Sequence, residues 1–129
     1  MVGRVWPRHS GGGRPLNSVV RAQMGENQLA VQLLITDSTD FDSLIQIEDA
    51  LTLAFLDDKS AIVDGHDIGQ GKFNVFLFAK APLSSVVDRV KAALGEIGVL
   101  NDATIAHRPT MQSGYSVVWP KQYRGTFEL

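Results

Sequence analysis

Cysteine is absent from the 129 residues of this chain, which excludes disulfides, thiolate metal sites and cysteine nucleophiles. No apolar run approaches the roughly 20 residues a membrane helix needs, so no membrane partner is expected. Internal repeats are lacking. Histidine is scarce at three, and the first 23 residues carry no acid at all. Against these absences stand a hydrophobic content of 44% and a charged content of 20%, the make-up of an ordinary soluble globular domain. A chain of this length is expected to form one domain with a core that needs no covalent staples.

Charge divides the chain unevenly. Arg4, Arg8, Arg14 and Arg21 give residues 1–23 a net +4, whereas residues 24–129 carry 8 basic and 14 acidic side chains, a net −6. Gly11-Gly12-Gly13, Pro7, Pro15 and the lack of apolar periodicity make 1–23 a disordered basic leader. It lacks the apolar centre of about 7–15 residues that a secretory signal requires, and its glycines and prolines oppose the amphipathic helix of a transit peptide. Four scattered arginines make a weak nucleic-acid-binding arm. The alternative is that Met24 is the true start and the leader is not native. Residues 24–129 form the single domain in either case.

The body alternates strand and helix patterns. Leu29–Thr36 is a β-rich run with Leu29, Val31, Leu33 and Ile35 on one face. Thr39, with Asp42 three residues on, reads as a capped helix start. Leu44, Ile47, Leu51, Ala54 and Phe55 then recur at helical spacing, which predicts a helix over 40–56. Ala61–Asp64 and Phe73–Lys80 read as two strands joined by an elaborate glycine-rich turn. Pro82 suits the first turn of a second helix carrying Leu83, Val86, Val87, Val90, Ala93 and Leu94, with Gly95 or Gly98 as its left-handed stop. Ala103–Arg108, Tyr115–Trp119 and Thr126–Leu129 read as further strands.

The order β-α-β-β-α-β predicts an α+β fold, a ferredoxin-like sandwich. Two helices are expected on one face of an antiparallel sheet of strand order 4-1-3-2, with extra C-terminal strands. Phe73, Val75 and Leu77 alternate with Asn74, Phe76 and Phe78, so both faces of the third strand carry large apolar groups and the face away from the helices needs cover. The C-terminal segment with Tyr115, Trp119 and Phe127, a second copy of the chain, or a ligand could supply it. The first two are favoured, the second as a homodimer.

Chemistry concentrates in Val63–Phe78. Its Asp64-Gly65, Gly69-x-Gly71 and Asn74-Val75-Phe76 resemble a hairpin run, Asp-Gly-x-x-x-Gly-x-Gly-x-x-Asn-[Ile/Val]-Phe, of small uncharacterised bacterial proteins with a single ferredoxin-like domain. Lys72 stands where those proteins carry an acid. The resemblance implies the fold and a bacterial cytoplasmic protein, and it implies no catalytic mechanism.

Several chemistries can be weighed on the hairpin. Gly69-Gln-Gly-Lys72 suggests a phosphate loop, but that motif must open a helix and here a strand follows. Asp64, His66 and Asp67, with His107, offer imidazole and carboxylate ligands for zinc, manganese or iron, provided the turn makes them converge. The simpler reading has both aspartates bonding turn amides and His66 exposed at the tip, with no metal and no cofactor. His66 beside Asp64 or Asp67 could also form an acid–base pair in a small hydrolase or isomerase. Nucleic-acid binding through Phe76 and Phe78 is opposed by the net −6 and by the lack of a Lys/Arg-Gly-Phe motif. The leading expectation is a non-catalytic interaction or ligand-sensing module, with Asp64, His66, Asp67 and Asn74 as its candidate ligand-binding residues and a protein or small ligand as partner. Asn74 is expected as a buried polar anchor.

Overall fold

The computed structural model describes residues 27–80, 82–109 and 114–129. The expected basic leader, and the question whether Met24 is the start, lie outside them. In chain order the elements are β1 (Asn27–Leu34), α1 (Phe41–Ala54), β2 (Ala61–Gly69), β3 (Lys72–Ala79), α2 (Leu83–Glu96), a short 3₁₀ turn (Leu100–Asp102), β4 (Ala103–Pro109) and β5 (Ser116–Trp119). The strands form one antiparallel sheet in the order β2-β3-β1-β4-β5. Among the described residues, no helix is long and apolar enough to cross a membrane.

Both helices pack on one face of the sheet, where the apolar alternation and the helical stripes meet. Leu29, Val31 and Leu33 of β1, Phe73, Val75 and Leu77 of β3, and Ile105 of β4 join Leu44, Ile47 and Leu51 of α1 and Val86, Val90 and Leu94 of α2 in one core. Helix α1 starts one residue later than its pattern suggested. Asp40, not Thr39, caps it by accepting the Asp42 N–H at 3.2 Å, while Thr39 Oγ1 accepts the Thr36 N–H at 2.8 Å. Gly98, at φ +77, turns the chain out of α2.

The second strand departs most from expectation. β2 runs on through Asp64–Gly69, so the elaborate turn reduces to Gln70-Gly71. Both residues have positive φ, 53° and 76°, as a two-residue type I′ hairpin requires. Asn-Gly is the favoured pair for that turn, and glutamine fits it less well. Gln70→Asn is therefore expected to stabilise the protein by about 0.5–1 kcal/mol. Thermal melting against the parent checks this, and an unchanged or lower midpoint would count against the turn type.

Thr126–Leu129, expected as a strand, is irregular. Its Glu128 carbonyl instead accepts Gln32 Nε2 at 2.7 Å and Lys72 Nζ at 3.1 Å, which carries the C-terminal segment over the face away from the helices. The Tyr115 and Phe127 rings meet on that side at 5.6 Å, tilted by 56°. Trp119 does not join them. It packs against the helix-side core, donates its indole N–H to the Leu100 carbonyl at 3.1 Å and lies under Lys91.

Candidate functional site

Cross-strand register arranges the far face in rows. Directly opposed residues on antiparallel strands share a face. Asp67, Asn74, Gln32 and Thr104 therefore form one row across β2, β3, β1 and β4. Ile62, Phe78, Gln28 and Arg108 form another, and Gly65, Phe76, Ala30 and Ala106 lie between them. A polar row and a row polar at its Gln28 and Arg108 end thus flank one of mostly small residues. Phe76 and Phe78, expected to need cover from the C-terminal segment or a second subunit, are only 6% and 2% exposed within the single chain.

A bulge decides which hairpin groups reach this face. The register shifts between Val63 and Gly65, so that Asp64 and Gly65 together occupy the space opposite Phe76. Gly65 sits at φ +134, a conformation that costs a side-chain-bearing residue heavily. Beyond the bulge, His66 aligns with Val75 and Asp67 with Asn74, so the two point to opposite faces. A regular strand would have placed His66 beside Asn74 and Asp67 against Phe73.

His66 is consequently a core residue, which corrects the expectation of an exposed tip. Its Nδ1 lies 2.8 Å from Glu48 Oε1 of α1, and both residues are 1% exposed. The imidazole packs against Phe73 at 5.3 Å between ring centres, and its Nε2 is buried without a hydrogen-bond partner among the described residues. His66→Ala, expected from the sequence to matter little, would strip Glu48 of a buried partner. Glu48 went unnoticed in the sequence, although it sits on the inward stripe between Ile47 and Leu51 and could have been flagged there.

On the far face the bonds form a directed chain. Asn74 Nδ2 donates to Asp67 Oδ1 at 3.1 Å, and Gln32 Nε2 donates to Asn74 Oδ1 at 3.0 Å. Asn74, at 2% exposure, is the buried anchor that its position predicts. At the other row, Arg108 gives two bonds to Gln28 Oε1 at 3.0 and 2.8 Å, and Tyr115 gives a third at 2.9 Å. The Arg108 guanidinium also lies 5.0 Å over the Tyr115 ring. The structure thus brings Asp67 and Asn74 together and sends His66 elsewhere, while Asp64 occupies the bulge. His107 is half-buried on β4, which pairs with β5 and so is not an edge strand, and its Nδ1 is buried without a hydrogen-bond partner among the described residues. Among the described residues, no three His, Asp or Glu side chains are grouped as a metal site.

Burial raises the Tyr115 phenol above its ordinary value of 10.0, against the pull of the nearby Arg108 charge and with a push from Asp67. The folded protein then holds the phenol proton where the unfolded chain has begun to lose it. Stability tied to this group is intact below pH 10 and is lost as pH rises through the raised value. Unfolding measured from pH 9 upward is expected to show this fall, with a smaller slope in Tyr115→Phe. Equal slopes would mean the phenol is not held by the far face.

Comparison with protein-family models, curated proteins and solved structures yields no match for the chain.

Proposed function

We propose that this chain is a non-catalytic interaction or ligand-sensing module built on a ferredoxin-like βαββαβ sandwich, with recognition on the sheet face away from the helices. The observation that carries the reading is the bulge at Asp64-Gly65. It commits His66 to Glu48 in the core and leaves Asp67 and Asn74 on a face already lined with Gln28, Gln32, Arg108 and Tyr115. A face with charged and amide groups in fixed orientations suits a small polar ligand. The split βαβ connectivity and the central β1 and β3 support the ferredoxin-like assignment. The hairpin's resemblance to small bacterial proteins supports a bacterial cytoplasmic setting.

An enzyme using His66 with Asp64 or Asp67 draws little support from this geometry, since the imidazole is buried and bonded to Glu48. Self-association belongs to the proposal in altered form. With Phe76 and Phe78 buried, the contact falls to edge strand β2, where Ile62 and Ile68 are exposed. Light scattering on the purified chain tests that part, and a clean monomer mass at micromolar concentration would remove it.

Ligand-observed NMR with a mixture of polar metabolites tests the recognition reading. Saturation transfer to at least one compound is expected, lost in Arg108→Ala and kept in His66→Gln. Turnover of a compound that disappears in His66→Gln would replace the module with an enzyme.

A further inference from the structure

The Glu128 carbonyl is held by two donors that converge from different strands, Gln32 Nε2 of β1 and Lys72 Nζ of β3. The first is aimed by the groups behind it. Asp67 accepts the Asn74 amide N–H, which turns Asn74 Oδ1 toward Gln32. That oxygen takes one bond from Gln32 Nε2, and the same nitrogen reaches Glu128 at 2.7 Å with its second. A three-residue relay thus fixes one N–H of a side chain only 6% exposed so that it points out of the sheet. Lys72 adds a positive charge to the same spot.

A neutral peptide carbonyl makes limited use of such a pair. Hydrogen bonds in which donor or acceptor is ionised are about twice as strong as neutral ones. A carboxylate oxygen would therefore strengthen the neutral Gln32 bond and add an opposite charge beside the Lys72 ammonium. The segment that supplies the carbonyl is held through side chains. Thr126, Glu128 and Leu129 are exposed, Phe127 is half-buried against the Tyr115 and Tyr123 rings, and among the described residues no strand pairing ties them to the sheet.

We propose that Gln32 and Lys72 form a carboxylate-binding site, which the chain's own Glu128 carbonyl fills until a ligand carboxylate displaces it. The ligand's oxygen accepts from Gln32 Nε2 and Lys72 Nζ, and residues 126–129 lift off the face. Asp67 lies on the same row, but its Oδ1 accepts from Asn74, which stands between it and Gln32. The inference deepens the recognition reading by naming a ligand class at the Lys72 end of the face, and it stands or falls separately from the Arg108 end.

The test is NMR titration of the full chain, following the Gln32 side-chain amide and the Leu129 backbone amide. The probes are sodium acetate, an acetylated Thr-Phe-Glu-Leu peptide with a free carboxylate, and the same peptide amidated, with sodium sulfate as control at matched ionic strength. Saturable shifts of both amides are expected with acetate or the free-carboxylate peptide. Binding should weaken by about tenfold or more in Lys72→Met, the equivalent of one charge-assisted bond. It should recover in Lys72→Arg. Preference for the peptide over acetate assigns the site to peptide C-termini, and equal binding assigns it to free carboxylates. Absence of saturable shifts, an equal response to sulfate or the amidated peptide, or full binding by a folded Lys72→Met would overturn the proposal.

Discussion

Replacing Glu48 with alanine is expected to lower stability by about 3–5 kcal/mol, because it empties a core position and leaves a buried imidazole nitrogen without its partner. The Glu48 side chain faces His66 Nδ1 at 2.8 Å in a core closed to solvent, and among the described residues the other ring nitrogen has no partner to fall back on. A surface pair would contribute about 0–1 kcal/mol, so the two situations are easily told apart. Urea unfolding with a shared slope measures the loss. The companion double variant Glu48→Leu with His66→Phe removes both polar groups and keeps the total of side-chain heavy atoms. It is expected to return to within about 1 kcal/mol of the parent or to exceed it, because the desolvation cost goes with the pair. A Glu48→Ala loss below about 1 kcal/mol would mean that the pair is not buried.

Asn74→Ala should produce the next largest effect, a loss of about 2–3 kcal/mol. The substitution takes a donor from Asp67 and an acceptor from Gln32 at once, in a place where little water can replace them. Because Asn74 links the two, its effect should not add simply to that of Gln32→Ala. A double-mutant cycle is expected to give a coupling of about 0.5–3 kcal/mol, and additivity would show that the chain of bonds does not act as a unit.

How much of this was legible in the residues depends on what sets each feature. Leu44, Ile47 and Leu51, or Val86, Val90 and Leu94, repeat at the helical period, and that period alone selects the face they bury. The alternation of Phe73, Val75 and Leu77 with Asn74, Phe76 and Phe78 likewise fixed β3 and its two faces. The site followed a different logic. Strand alternation assumes regular pairing, and one extra residue at Asp64-Gly65 reverses the face of everything after it. Counting along β2 from Val63 therefore puts His66 on the wrong side.

The turn misled for a related reason. Three glycines suggested a long loop, but only Gln70-Gly71 is needed for the reversal, and Gly65 serves the bulge inside the strand. At the C-terminus, Thr126–Leu129 carries residues that suit a strand. The segment lies over the far face instead, bonded through the Glu128 carbonyl to side chains of β1 and β3. Gln32 did not stand out in sequence, and Lys72 did so only as a departure from the hairpin pattern and in a rejected phosphate loop, because their shared contact is a backbone oxygen more than 50 residues away.

The bulge is the hinge of the whole account, and the environment of the His66 ring tests it most directly. Nuclear Overhauser spectra of the isotope-labelled chain would report which protons surround that ring. Contacts from the His66 ring to Phe73 and to the Glu48 side chain, together with contacts from the Asn74 amide to Gln32, are the predicted result. Contacts from His66 to the Asn74 side chain, with Asp67 against Phe73, would show a regular strand without the bulge and contradict the account.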